Sequence, residues 1–428
     1  MPTNKTPETE IKAVLSTADH FAASGFKVSA LLQAYHSQMK GELADILRYW
    51  MANAVDERHG GFFGKVDADN QIIADAPKGC VLNSRILWTF AAAYNRTSHR
   101  AYLKMAERAY QYLNAHFRDR KHGGVYWSVD HQGNPLSKRK QIYGLAFCIY
   151  GLSEFYAATR QDEVLDFAKE LYYSIEKHSF DAQRGGYFEA FNHDWSPLED
   201  LRLSEKDANE RKTMNTHLHV LEAYTNLYRV WPDSQVAQQI HRLIDNFLTY
   251  IIDPETHHLH LFMDDDWTVK SRIISYGHDI EASWLLLEAA EVLHDAPLIE
   301  KVKKRAIQTA VAASRGMDPK GGLNYEWDGE THHLSDDKHW WVQAEAMVGF
   351  FNAWQLSQDQ AFLDKSLKIW EYTKCHLLDK KHGEWFWGVT AANVPMPGED
   401  KMGFWKCPYH NGRACIEISS RIERVVAV

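Results

Sequence analysis

Three histidines, His219, His278 and His410, stand near the start of otherwise apolar helix-like segments, and each has a polar partner at helical spacing. Asn215 precedes His219 by four residues, Glu281 follows His278 by three, and Arg413 follows His410 by three, so each pair shares a helix face. Trp341 and Glu345, four apart, repeat the pattern without a histidine. Histidine is the side chain whose ordinary pKa lies nearest neutrality, which suits it to give and take protons. Several such groups around one cavity, with an arginine available to stabilise a developing oxyanion, fit removal of a proton beside a carbonyl. Inverting that carbon needs a base on one face and an acid on the other, and a ring of helices supplies both walls. Such a pair predicts a bell-shaped pH–rate profile, one histidine starting neutral and the other protonated. Hydrolysis of a glycosidic bond would need two flanking carboxylates, for which Glu281 and Glu345 are the candidates.

The elements that must position these residues recur along the chain. An aspartate followed by glycine and then aromatics appears six times, at Asp56, Asp119, Asp181, Asp253, Asp318 and Asp379, at intervals of about 60 to 70 residues. The fourth copy lacks the glycines. Each aspartate ends an amphipathic segment: residues 36–55, 99–118, 162–180, 234–252, 299–317 and 359–378. In 99–118, Tyr102, Ala106, Ala109, Tyr110 and Leu113 fall on one face with Lys and Arg opposite. After each Gly-aromatic unit comes a second helix that is apolar on nearly every side, as in 141–158 and 340–354, which predicts an inner layer behind an amphipathic outer one. Six outer–inner pairs predict an all-α, single-domain (α/α)6 barrel over residues 31–428, with short β-hairpin-like segments at one end and residues 1–30 as an N-terminal extension. The polar residues sit at the same level of each inner helix, so closure brings them to one mouth, where helix N-termini favour an anionic intermediate. A lone histidine on an apolar helix is usually a hydrogen-bonded core residue. Recurrence at one level separates these three from that case, whereas His217, about 200° round the helix from His219, faces away.

Composition excludes several other classes. A net charge of −9 offers no general basic surface for nucleic acid. Five cysteines, an odd number without a CxxC pair, suit a reducing compartment. The first residues, MPTNKTPETEIKAVLSTADHF, hold no apolar run of signal-peptide length, and no stretch approaches a membrane span, so a cytoplasmic location without a membrane partner is expected. His257, His258, His260, His332 and His333 lack the spacing of a closed zinc site, and no metal is expected. No GxGxxG or GxxxxGK[ST] loop and no GxSxG elbow occurs, so no cofactor is expected. The 15 Trp, 20 Tyr and 19 Phe serve either the core or the apolar faces of a sugar, and position has to decide which.

Four motifs, KTMNTHLHVLEAYT (212–225), SYGHDIEASWLL (275–286), KHWWVQAEA (338–346) and GFWKCPYHNGRACIE (403–417), together resemble the cellobiose 2-epimerases of the acylglucosamine 2-epimerase superfamily. The resemblance runs over the chain after about residue 35. It implies reversible 2-epimerisation of the reducing-end glucose of β-1,4-linked disaccharides such as cellobiose or lactose, by ring opening and a cis-enediolate. It further implies His278 and His410 as the C2 acid/bases, His219 as the helper at ring opening, Arg85 and Tyr143 near the enediolate oxygens, and Glu281 as the orienter of a histidine. Asn215 would hold a hydroxyl, Trp341 (or Trp340) and Trp405 would stack on sugar, and Asp207 would bind it from the long polar stretch 189–211. Glu345 joins the substrate-binding set. A monomer acting on a small-molecule disaccharide is expected. The alternatives are a monosaccharide aldose–ketose isomerase or 2-epimerase of the mannose or N-acylglucosamine type, a glycoside hydrolase on the same barrel, and a non-catalytic sugar-binding protein.

Overall fold

The computed structural model describes the backbone of residues 7–426 and the side chains of residues 28–426. Within the expected extension, residues 1–6 therefore lie outside the described residues, and helix α1 begins at Pro7. Outer helices are α1 Pro7–Asn53, α3 Arg100–Tyr112, α5 Asp162–His178, α7 Ser234–Asn246, α9 Ala296–Ala313 and α11 Gln360–His376. Inner helices are α2 Cys80–Thr97, α4 Ile142–Thr159, α6 Met214–Val230, α8 Tyr276–Val292, α10 Trp340–Ser357 and α12 Tyr409–Val426. The outer helices bury one stripe, in α3 Met105, Ala106, Ala109, Tyr110 and Tyr112. The inner ones bury every side: α4 is buried without a break from Ile142 to Ser153. That contrast is the one the two hydrophobic patterns predict.

Each inner helix packs on its inner neighbours and on the outer helix that follows it, and α12 packs against both α1 and α2. The first outer helix therefore partners the last inner one, and the ring closes as an (α/α)6 barrel. The mouth closes in the same way. The short strand before each inner helix pairs with the Gly-aromatic segment of the next repeat, Lys78–Gly79 with Ser128–Val129 for example, and a bridge from Val66 to Met402 links last to first. In four repeats the first N–H of the inner helix donates to that segment: Cys80 to the Trp127 carbonyl, Ile142 to Glu189, Met214 to Leu261 and Trp340 to Trp387. A helix N-terminus that no side chain caps is thus satisfied by its neighbour repeat.

The recurring aspartates build the turns. Oδ1 of Asp56 accepts from the backbone N–H of Arg58 and His59, while Oδ2 takes the ammonium of buried Lys78 at 2.7 Å. Asp119–Lys140, Asp181–Lys212, Asp318–Lys338 and Asp379–Lys401 repeat the pair at 2.6 to 2.9 Å. Gly60 enters the left-handed region at φ 78° and Gly61 has no room for a Cβ against Tyr112, so both glycines are required there. In the fourth copy His257 takes the left-handed position at φ 65° and Ile274 stands where the lysine would be. Asp253 faces His260 there at 3.5 Å instead. These are turn residues, and His258 likewise gives Nδ1 to Asp279 at 2.6 Å.

Candidate active site

Barrel closure brings polar side chains from all six repeats onto one cavity of about 430 Å³. Arg85, Tyr143, Asn215, His219, His278, Glu281, Trp340, Trp341, Trp405, His410 and Asp207 all line it. Among the residues expected at the site, Glu345 alone does not. Helix register sets the depth of each: Arg85, His219 and Glu281 are the sixth residues of their helices, Tyr143, Asn215, Trp341 and His410 the second, and His278 the third. The longest inter-helix stretch also lies where expected, with Leu201–Ala208 on the cavity wall. It is pinned by Gln141 to the Leu201 carbonyl at 2.9 Å and by Arg139 to the Asp200 carbonyl at 2.8 Å.

Each histidine is oriented through Nδ1. His410 meets Oε1 of Glu345 at 2.7 Å, His219 meets Oε2 of Glu222 at 2.9 Å, and His278 meets the Ser275 hydroxyl at 2.8 Å. A carboxylate can only accept, so it fixes the Nδ1–H tautomer of His410 and His219 and leaves Nε2 as the basic nitrogen. Two expectations change here. Glu281 orients no histidine; it accepts from Arg413 at 2.8 Å. Glu345 binds no substrate from the cavity wall; it lies behind His410, also accepting from Arg413 at 2.7 Å and from Trp284 at 3.1 Å. Both reversals have one cause. Helix spacing says which residues share a face, but the partner of His410 comes from the neighbouring helix. Glu222, Tyr409 and Ser275 were not in the expected set, although the three-residue spacing of His219 and Glu222 was a usable signal; Arg413, read as the partner of His410 on its own helix, instead bonds Glu222, Glu281 and Glu345. His217 is structural, as expected: Nε2 accepts from Tyr187 N–H at 2.9 Å and Nδ1 faces the Thr213 carbonyl at 2.6 Å.

Burial sets the protonation states. It pushes His278 down to about 3, with the charge of His219 adding to the effect. His219 is also lowered by burial, against the pull of Glu222, and His410 falls well below the ordinary value through burial, Arg85 and Arg413. All three shifts favour the neutral imidazole in the free protein. Glu222 is raised by burial but held down to about 2 by Arg413 and His219. Glu281 goes the other way, raised well above the carboxylate range by burial and by the charge of Glu345. Glu345 is raised by burial as well, so both buried acids on Arg413 Nη2 resist ionisation.

Around the histidines the walls are aromatic. Trp341 packs on His278 and His410, with ring centroids 4.7 and 5.8 Å away. Trp405 lies 5.9 Å from Tyr143 and 5.8 Å from Trp127, and Trp340 packs at 4.5 Å on Trp387. Arg85 donates to the Tyr143 hydroxyl at 2.7 Å and lies 4.1 Å from the Phe147 ring. Nε of Arg85, Oδ1 of Asn215 and Nε1 of Trp340 are buried without a protein partner, and the hydroxyl groups of a sugar would satisfy them. Glu281, Glu345 and His410 approach one another closely enough to hold a cation. The guanidinium of Arg413, bonded to both glutamates, already serves that purpose.

An (α/α)6 barrel with three neutral, oriented imidazoles and an arginine in an aromatic cavity defines a proton-transfer site for a small polar molecule. The chain belongs to the N-acylglucosamine 2-epimerase family, whose model matches residues 61–413. A cellobiose 2-epimerase of Bacteroides fragilis is 51% identical over 382 residues, covering 89% of this chain and 97% of its own. The cellobiose 2-epimerase structure from Bacillus thermoamylovorans B4167 is 40% identical with a TM-score of 0.87, over 91% of this chain and 100% of that one. That of Spirochaeta thermophila is 39% identical with a TM-score of 0.88, over 93% and 98%.

Proposed function

We infer that the protein is a carbohydrate epimerase that reversibly inverts C2 of the reducing-end glucose of β-1,4-linked disaccharides, cellobiose to glucosyl-mannose and lactose to epilactose. The observation that carries the chemistry is the pair His278 and His410, on α8 and α12, both packed against Trp341. The disaccharide rests on the 51% identical relative and on Trp405 in the cavity wall, read as an aromatic face for the second sugar.

In this reading His219 moves the proton that opens the ring, and one of His278 and His410 takes the C2 proton from one face. The enediolate oxygens lie toward Arg85 and Tyr143, whose joined guanidinium and hydroxyl offer fixed donors. Rotation about C2–C3 turns the other face to the second histidine, which returns a proton. The base begins as a neutral imidazole with Nε2 free, the state that Glu345 imposes on His410. The acid enters protonated, since a neutral imidazole that gave up its Nε2 proton would be left as an imidazolate. At His278 the Ser275 hydroxyl can accept from Nδ1–H in that state, with Nε2–H toward the sugar. The reverse reaction exchanges the two roles.

The working form is proposed to be a cofactor-independent cytoplasmic monomer. Five free thiols suit that compartment, and among the described residues no helix is long and apolar enough to cross a membrane. Incubation with cellobiose in D2O tests the function. Deuterium at C2 of the reducing residue and a glucosyl-mannose product, without released glucose, are expected. Glucose release without C2 exchange would sink the reading.

A further inference from the structure

Beneath the cavity one guanidinium joins the acids that orient two of the three histidines. Arg413 bonds through Nη1 to Glu222 and through Nη2 to Oε1 of Glu345 at 2.7 Å and of Glu281 at 2.8 Å. Glu222 in turn orients His219, and Glu345 orients His410. An unbroken chain therefore runs His219–Glu222–Arg413–Glu345–His410, across α6, α12 and α10. All three links between the histidines are about 1% exposed. Arg413 is clamped between aromatic rings, 4.3 Å from Tyr409 and 4.8 Å from Trp284, so its fork has one orientation. The Tyr409 hydroxyl joins the same cluster, bonding to both Glu222 and Arg413.

We propose that Arg413 is a positioning residue that couples the protonation of His219 to that of His410, so that the pair takes up one proton at a time. The inference rests on the epimerase reading above. The argument is one of charge. Arg413 is one cation shared by Glu222 and Glu345: a proton on one imidazole turns its acid toward that imidazolium and leaves the guanidinium to the other acid, which then holds a proton on the second imidazole less strongly. The other charged or titratable groups facing the two imidazoles are Arg85, Tyr143 and His278, and the cation among them opposes a second proton as well. Such coupling lets the helper at ring opening and the acid/base at C2 exchange states without two charges arising in one dry site. Arg413 touches no reacting atom in this scheme, and acts through the two acids.

Histidine-labelled protein in 15N spectra provides the test, with His219 and His410 assigned from His219→Asn and His410→Asn. At pH 7 both should be neutral with the proton on Nδ1. Arg413→Met removes the cation, so at least one imidazole should titrate upward by about one pH unit or more. Arg413→Lys keeps the charge without the fork; its titration should stay near wild type while kcat falls and KM holds. Both arginine variants falling in kcat with unmoved titrations would leave Arg413 merely structural and overturn the proposal. Should Arg413→Met fail to fold, Glu222→Gln decides: the His410 resonances should shift although Glu222 does not touch it, and unchanged resonances refute the coupling. Wild-type protein without C2 exchange on cellobiose would overturn the epimerase reading, while these spectra would still decide the coupling.

Discussion

Glu345 and His410 lie 65 positions apart in the chain, yet their side chains meet at 2.7 Å with both groups almost wholly buried. The carboxylate accepts the Nδ1 proton and leaves Nε2 for substrate. Glu345→Gln replaces a pure acceptor by an amide that can turn its NH2 toward the ring and stabilise the wrong tautomer. We expect kcat to fall by about 10²-fold or more with little change in KM. A rise in KM at unchanged kcat would restore Glu345 to a substrate-binding role.

Removing either C2 acid/base should be more severe for chemistry than for binding. His278→Asn or His410→Asn should each lower the rate by at least about 10²-fold, the low end for a positioned acid or base. The two variants need not behave alike in deuterium exchange, since each removes the acid or base on one face only. Near wild-type turnover in both would place the reacting carbon elsewhere.

The depressed histidines predict the shape of the pH–rate profile. Their folded values lie below the ordinary 6.5, with His278 at about 3. The base therefore stays neutral as pH falls through 6.5 while more of the acid becomes protonated, so kcat/KM should show no acid limb near 6.5 and should decline only well below it. The same shift bears on stability: a neutral buried histidine contributes fully above the unfolded value and progressively less as pH drops toward the folded one. An acid limb centred near 6.5 in kcat/KM would mean that one histidine is ionisable in the ordinary range.

Trp405 should separate disaccharides from monosaccharides. It lines the cavity from the segment before α12, against Tyr143 and Trp127. Trp405→Ala should raise KM for cellobiose by about five- to tenfold, the equivalent of roughly 1 kcal/mol of aromatic contact. Activity on a monosaccharide, if any is present, should change less. Equal losses on both substrates would assign Trp405 to the reducing-end sugar.

Lys140 and Asp119 pair at 2.6 Å with both side chains buried, and neither lines the cavity. Lys140→Met leaves the Asp119 carboxylate without its cation, although its turn N–H donors remain. Such half-removal of a buried pair costs about 3–5 kcal/mol, readable in urea unfolding, with kcat of the folded fraction retained. Stability within about 1 kcal/mol of wild type would show that water reaches the turn readily.

Much of the molecule is local and therefore legible in the chain. The twelve helices follow from the two hydrophobic patterns, since a one-sided stripe requires an outer position and an all-round apolar surface an inner one. The six aspartates mark the turns, although the lysine partners of five of them, about 20 to 30 residues on, are not legible because a buried ion pair leaves no periodic trace. His219, His278 and His410 stand out in the chain because each falls in the first two turns of an inner helix, but they are the sixth, third and second residues of those helices, so the expected single level does not hold.

Tertiary structure decided who partners whom. Glu281 sits three residues after His278, so spacing alone joins them, but the fold turns its carboxylate to Arg413 on another helix. Glu345 looked like part of the binding wall and proves to lie behind His410. Spacing fixes the direction of a side chain about its own helix axis. Which neighbour it meets depends on the crossing of two helices and on ring closure between α1, α12 and α2, and those are set by the packing of the whole barrel.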